Sequence, residues 1–533
     1  MNLFTVICSL SLLFLPVVAG PIGSFQTKCE DFRKGVQTFD TQRKAVVNIA
    51  EFLPVGTTID RTAEGGNASC AAWVVPPVPV PVCRVNLRVQ TSEESSVEIE
   101  VWLPEQWTGR ILSIGNGGFG GCVPYADIEY GTYYGFATIS TDNGHSGMSG
   151  GAFYRQPQVL EDFVWRAFYT GVVLGKDVVK QFYGQAHQKS YYLGCSTGGR
   201  QGWKAVQSYP DLFDGVVAGA PAIPYNGLIP WAAFALKTLG LNISNAALNL
   251  DDWKQVRSKV LEQCDGLDGA TDGILEDSRQ CKPDMKRWQC SSDSKGWCLT
   301  PAQLSAVEVL FKPLVVDNTV IHAGAAHGDE VRLIQGLYGP LYNDWIDEWF
   351  RYVVKEDLSW TKSQFSLQDA LQSVRLNPFN IHTFDTDISA FRDRGGKVIH
   401  WHGQADEYLS ITNSDQYYEA VSKTLKASPK ELDKFYRYFR ISGMGHCYGG
   451  PGTNILGQGY GMAVSNNPDD NILLRIVEWV EKGNAPEVLR ATKLVNDDPR
   501  QGIAFSRKHC KHPKVNKYRG IGNGKDEAGW RCV

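Results

Sequence analysis

The sequence has no long block of lysine or arginine, and its formal net charge is only −4. Nucleic acids and anionic membrane surfaces are held by concentrated basic patches, so neither is an expected partner. Beyond the first residues there is no segment apolar enough to span a bilayer, and a soluble mature protein is expected. Internal repeats and low-complexity blocks are also missing, which sets aside repeat and fibrous architectures. No Cys/His set has the spacing of a zinc site, and no loop has EF-hand spacing.

What is present begins with the compartment. Met1 to Pro16 is an almost unbroken apolar run, followed by the small residues Val17-Val18-Ala19. It is shorter than the ~20 residues of a membrane span and reads as a signal peptide over residues 1–19. Cleavage after Gly20 would leave Pro21 at the new N-terminus, so the cut is placed after Ala19. Secretion to the extracellular space follows. Of 13 cysteines, Cys8 leaves with the signal, and an even set of 12 remains. In an oxidising compartment this predicts six disulfides, whose connectivity the spacing alone leaves open. The sequons at Asn67 and Asn242 are predicted glycan sites on exposed loops.

A mature chain of about 510 residues exceeds one ordinary core, so one large domain with an insertion, or two domains, is expected. The stretch to about residue 90 reads as irregular. Within it Pro76–Pro81 reads as an extended surface connector between Cys70 and Cys83, because proline lacks the backbone donor. Val97–Leu103 alternates like a half-buried strand, and Arg110–Ile114 and Tyr134–Thr141 read as further strands. Val159–Tyr183 carries apolar residues at helical spacing. Ser190–Leu193 is a short strand followed by a helix-like run to about Ser208. This alternation predicts an α/β fold with a mainly parallel sheet. Residues 226–388 break the pattern and read as an inserted lid domain, with residues 20–225 and 389–533 forming the two parts of the core. In the second part, Lys397–Trp401 and Tyr436–Ile441 read as returning strands and Asn471–Gly483 as an amphipathic helix.

A serine hydroxyl becomes a nucleophile only when a base takes its proton, and the oxyanion that forms needs preorganised donors. Gly194-Cys195-Ser196-Thr197-Gly198 has glycine two residues before and two after the serine, between a strand and a helix. That is the layout of a nucleophile elbow. Ser196 is the predicted nucleophile, and the Thr197 N–H is one predicted oxyanion donor. The second is expected from Gly117 or Gly118, in the glycine-rich turn after Arg110–Ile114. Asp406 follows the Lys397–Trp401 strand, and His446 lies in a later glycine-rich loop. Ser, Asp, His is the chain order of α/β-hydrolases, which makes His446 the base and Asp406 its orienting acid. His402 competes for the first role and Glu407 for the second. Cys195 adjoins the nucleophile and Cys447 the base, so a working triad brings the two cysteines within disulfide reach.

Gly-Cys-Ser-Thr-Gly-Gly with a late Gly-His-Cys and an intervening Asp resembles the tannase/feruloyl esterase family, most closely its fungal feruloyl esterase B members. Further matching stretches are Asn377–Ile381, Phe391–Lys397 and Ile441–Cys447. The resemblance implies an α/β-hydrolase core with a lid domain and a Cys195–Cys447 bond. It also implies the pairs Cys29–Cys83, Cys70–Cys122, Cys264–Cys281, Cys290–Cys298 and Cys510–Cys532. The implied activity is a serine esterase releasing ferulate and related hydroxycinnamates from feruloylated plant cell-wall polysaccharide or small esters. A galloyl-ester specificity, a peptidase with the same triad, and a non-catalytic carbohydrate-binding protein are the rival readings.

A second motif lies between Cys264 and Cys281. Its clustered carboxylates and glycines suit a hard, oxygen-seeking cation, with Ca²⁺ favoured over Mg²⁺. Carried over from the family, the Ca²⁺ ligands would be Asp265, Asp268 and Asp272 with the Ala270 and Ile274 carbonyls. Its distance in sequence from the triad makes this cation structural.

Overall fold

The computed structural model describes residues 22–34, 45–72, 74–242, 244 and 247–533. The signal peptide assigned to residues 1–19 lies outside them.

Nine strands form one sheet: β1 (Ala45–Leu53), β2 (Val82–Gln90), β3 (Ser96–Pro104), β4 (Arg110–Ile114), β5 (Ala137–Thr141), β6 (Lys189–Cys195), β7 (Gly215–Gly219), β8 (Lys397–Gly403) and β9 (Tyr436–Ile441). Their spatial order is β1-β2-β3-β5-β4-β6-β7-β8-β9. β1, β2, β3 and β5 pair antiparallel, and every pair from β5 to β9 is parallel. A parallel sheet is covered on both faces, and its strands read as continuous apolar runs. β7 and β9 are buried along their whole lengths. Helices Ala167–Tyr183, Thr197–Ser208 and Ile472–Lys482 supply the cover. The last buries Ile472, Leu473, Ile476, Val477 and Trp479, a spacing of three and four that gives one apolar face. Asn471 caps its start through Leu474 N, and Gly483, at φ 74°, ends it, as a residue without Cβ does at low cost. This strand order with flanking helices is the α/β-hydrolase core.

Four expectations are corrected. The stretch before residue 90 is not irregular: it contains a helix, Ile22–Lys34, and the edge strands β1 and β2. The Pro76–Pro81 connector between them is not wholly superficial. Val78 packs with Leu53, Val82, Trp102 and Ile128 in a small core of its own. β3 is not half-buried either. Its polar alternation faces an internal ion cluster, in which Glu100 takes Arg84 Nε at 2.5 Å and the Tyr125 hydroxyl at 3.1 Å. Of Tyr134–Thr141 only Ala137–Thr141 is strand, preceded by the helix Tyr125–Tyr133.

Between β7 and β8 the chain makes a largely helical body, including Tyr225–Leu239, Leu250–Cys264, Glu330–Tyr338 and Pro340–Trp349. Its buried residues form one apolar cluster that extends to Phe119, Phe153 and Phe163 of the core. Six disulfides join Cys29–Cys83, Cys70–Cys122, Cys195–Cys447, Cys264–Cys281, Cys290–Cys298 and Cys510–Cys532. Among the described residues no helix is long and apolar enough to cross a membrane.

Candidate active site

Ser196 sits between β6 and the helix Thr197–Ser208 at φ 64° and ψ −123°. A left-handed conformation is costly for a residue with a Cβ and persists where surrounding contacts fix it. Here the Ser196 N–H donates to Gly219 O at 3.0 Å, and its carbonyl accepts from Arg200 N at 3.0 Å and Ala222 N at 3.1 Å. The flanking glycines are steric requirements. A Cβ on Gly194 would stand 2.8 Å from the Gly198 backbone, and one on Gly198 would stand 3.0 Å from Asn116 O.

The glycine turn after β4 packs directly on this elbow. Thr197 Oγ1 donates to Gly118 O at 2.8 Å, and Gln201 bonds the backbone and side chain of Asn116. Gly118 adopts φ 59°, and a Cβ there would lie 2.9 Å from the Trp345 ring. Gly118, Ser196, Thr197 and His446 line one narrow cavity. Gly117 is placed in the same turn, where its carbonyl accepts from Gly120 N, but it is not part of the cavity lining.

His446 and Asp406 meet at 2.8 Å, Nδ1 to Oδ2. The Asp406 side chain is almost wholly buried. Its Oδ1 accepts from Tyr408 N at 2.9 Å and Leu409 N at 2.8 Å. Burial alone would raise its pKa, but the His446 charge and the hydrogen bonds from His402 and His446 outweigh it and hold the carboxyl below the usual range. For His446 the balance is reversed in sign: burial disfavours the imidazolium, the Asp406 carboxylate favours it more, and the pKa is raised. An orienting carboxylate of this kind keeps the Nε2 lone pair toward the nucleophile.

The two competitors occupy supporting places. His402 is buried behind Asp406, with Nε2 3.2 Å from Oδ2 and Nδ1 2.7 Å from the Ser414 hydroxyl. Glu407 bonds the His446 backbone and not its ring, accepting the N–H at 2.9 Å. The Cys195–Cys447 bond, with Cα atoms 6.0 Å apart, ties the residue before Ser196 to the residue after His446.

Tyr225, Trp345 and Tyr408 complete the cavity with Ala222, Leu228, Ile229 and Leu409. No sequence motif marks any of these three aromatics. They come from three separate stretches of chain, and only Trp345 lies inside residues 226–388.

The acidic loop after Cys264 is built differently. Asp265 accepts from Gly273 N, Asp268 from Ala270 N, and Asp272 from Ile274 N. Arg507 pairs with Asp272 at 2.7 Å and also with Glu276. Burial raises the Asp265 carboxyl, and burial with the nearby Glu276 and Asp272 charges pushes Asp268 up to about 7. Three carboxylates and two carbonyls on one short loop are the oxygen-only donor chemistry that Ca²⁺ takes. Among the described residues no three acidic, His or Cys side chains form a ligating group by themselves, and the Ala270 and Ile274 carbonyls are needed to complete the set. The two sequon residues, Asn67 and Asn242, are both exposed.

The chain is similar over most of its length to known proteins. The family described as tannase and feruloyl esterase matches residues 82–334 and 339–533. A protein of Aspergillus terreus named probable feruloyl esterase B-2 is 44% identical over 515 residues, covering 96% of each chain. Probable feruloyl esterase B of Aspergillus clavatus is 42% identical, again over 96% of both. The crystal structure of feruloyl esterase B from Aspergillus oryzae superposes with a TM-score of 0.87 at 42% identity, covering 96% of this chain and 100% of that one. Tannin acyl hydrolase from Aspergillus niger shares the fold, at 20% identity and a TM-score of 0.71. The match spans both parts of the core and the segment between them, and the chain belongs to the tannase and feruloyl esterase family.

Proposed function

We propose that the protein is a secreted feruloyl esterase that releases ferulate and related hydroxycinnamates from esterified plant cell-wall polysaccharide. The observation that carries this is the junction of a strained Ser196 and an Asp406-bound His446 on one aromatic-walled cavity. It occurs in a chain whose relatives at 42–44% identity bear the feruloyl esterase B name.

In this reading His446 Nε2 takes the Ser196 proton as Oγ attacks the ester carbonyl. The N–H groups of Thr197 and of Gly118, with Gly117 as the alternative in the same turn, receive the oxyanion. The tetrahedral species collapses, the C–O bond to the sugar breaks, and His446 gives its proton to the leaving alcohol. Water, deprotonated by His446, then attacks the acyl-enzyme, and the carboxylic acid leaves as Ser196 recovers its proton. Tyr225, Trp345 and Tyr408 suit the flat phenolic ring, since aromatic faces pack well against one another. Residues 226–388 act as the lid that brings Trp345 over the site. Asp265, Asp268 and Asp272, with the Ala270 and Ile274 carbonyls, would hold a structural Ca²⁺. It would neutralise the loop. Asn67 and Asn242 would carry glycans.

The test is hydrolysis of methyl ferulate, methyl caffeate, methyl p-coumarate and methyl gallate by the purified protein, with Ser196→Ala as control. Turnover of the cinnamates, little of the gallate, and an inactive Ser196→Ala enzyme are expected. Preference for gallate would make the substrate a galloyl ester, and no turnover of any ester would overturn the esterase reading.

A further inference from the structure

Glu407 follows the acid of the triad, yet its carboxylate does not join the acid–base pair. It spans two other groups: Oε2 accepts the His446 backbone N–H at 2.9 Å and Arg332 Nε at 3.2 Å, while Oε1 takes Arg332 Nη2. Arg332 belongs to the helix Glu330–Tyr338, in the segment between β7 and β8. That helix rests on the acid loop at Gly336, where a Cβ would stand 3.1 Å from Glu407 O. The guanidinium also lies against the histidine loop, because a Cβ on Gly445 would come within 2.8 Å of Arg332 Nη2. The next helix, Pro340–Trp349, holds the same loop through the Tyr342 hydroxyl on Tyr408 O. A two-point guanidinium–carboxylate fork fixes direction as well as distance, which a single hydrogen bond does not.

We infer that the Arg332–Glu407 pair is a positioning device through which the segment between β7 and β8 sets the alignment of His446 over Ser196. The inference rests on the esterase reading above. The histidine loop is held at Met444 O by the Ala405 N–H and at Gly445 N by Gly449 O, and the disulfide pins Cys447. Glu407 fixes the peptide N–H of His446 itself, while Asp406 fixes its ring. Arg332 then ties that carboxylate to a helix that precedes Trp345 in the cavity wall.

The pair also places two opposite charges beside the imidazole. The charged and titratable groups facing His446 are Asp406 and Glu407 from the acid loop and Arg332 from the inserted helix, with Asp329 and Arg257 paired behind it. The Tyr408 ring stands edge-on at 5.3 Å. Glu407 raises the proton affinity of His446 and Arg332 lowers it. Removing either charge therefore moves the acid limb of the kcat profile, in opposite directions.

The experiment measures kcat, KM and the pH profile of Glu407→Gln and Arg332→Gln on methyl ferulate, beside the wild type and Ser196→Ala. Misplacing a catalytic group by a fraction of an ångström to 1 Å costs up to about a hundredfold, so each variant should lose about tenfold to a hundredfold in kcat with KM nearly unchanged. Glu407→Gln should carry the acid limb to lower pH and Arg332→Gln to higher pH. Arg332 is partly exposed, and its variant supplies the reading if Glu407→Gln does not fold. Wild-type kcat in the folded variants, or losses with no movement of the limb, would overturn the inference. A wild type that hydrolyses no ester would instead overturn the esterase reading.

Discussion

Two aspartates stand at or beside disulfide-pinned loops, and their charges behave in opposite ways. Asp406, next to the loop pinned by Cys195–Cys447, is the more deeply buried, yet it is held ionised. Asp268, on the loop closed by Cys264–Cys281, is less buried and is pushed up to about 7. Burial raises both. The difference lies in the partners: Asp406 meets two imidazoles and two backbone N–H groups, whereas Asp268 meets two N–H groups and two further carboxylates. A protein can keep a negative charge inside by surrounding it with donors. The same charge left among its own kind takes up a proton more readily.

The largest break in this comparison is Asp406→Asn. The amide cannot stabilise the imidazolium and presents His446 with an ambiguous partner, so kcat should fall on the order of 10⁴-fold. Without the carboxylate the raised pKa of His446 falls, and the acid limb of the residual activity moves to lower pH. Stability follows the same pair. The His446 contribution is complete below the ordinary histidine pKa and is lost as pH rises through the raised value. The Asp406 contribution is complete above the ordinary aspartate pKa and is lost as pH falls through the depressed one. In Asp406→Asn both dependences should flatten, as read by thermal melts across pH.

Cys195→Ala with Cys447→Ala should have a smaller effect on the chemistry. The bond closes a separation of 252 residues, and in the chain-entropy model a loop of that size contributes about 5 kcal/mol. Kinetically the loss should be about a hundredfold in kcat, since the Arg332–Glu407 pair still holds His446 from the other side. Far-UV circular dichroism of the folded variant should match the wild type. Unchanged kinetics would show that the tether does not position the base.

The triad was legible in the sequence because each member sits where only certain residues work. Gly194 has no room for a Cβ against the Gly198 backbone and Gly198 little against the turn after β4, and that requirement leaves a visible motif around Ser196. Asp406 and His446 follow strands whose apolar runs are readable, in an order that few folds use. Parallel strands such as β8 and β9 were readable for the same reason, whereas β7, short and bounded by glycine, was not. Nor was the antiparallel edge. Proline-rich approaches hide β2, and the alternation of β3 hides the fact that Glu100 faces Arg84 and not water. Arg332, Tyr225, Trp345 and Tyr408 were illegible for a simpler reason. Their roles depend on which helix lands on which loop, and Arg332 and Glu407 are 75 residues apart.

The smallest expected effect lies on the other side of the comparison, at the acidic loop. If Asp265, Asp268 and Asp272 surround a Ca²⁺, a chelator should lower the melting temperature and added Ca²⁺ should restore it, by the ordinary linkage of ligand to the folded state. kcat below the melting transition should stay unchanged, because the loop contributes nothing to the cavity lining. Asp268→Asn removes one of the crowded charges, which stabilises the cation-free loop and weakens the Ca²⁺ form at once. The variant should therefore melt at the same temperature with and without chelator. A wild type indifferent to both chelator and Ca²⁺ would mean that Arg507, paired to Asp272 and Glu276, already supplies all the positive charge the loop needs.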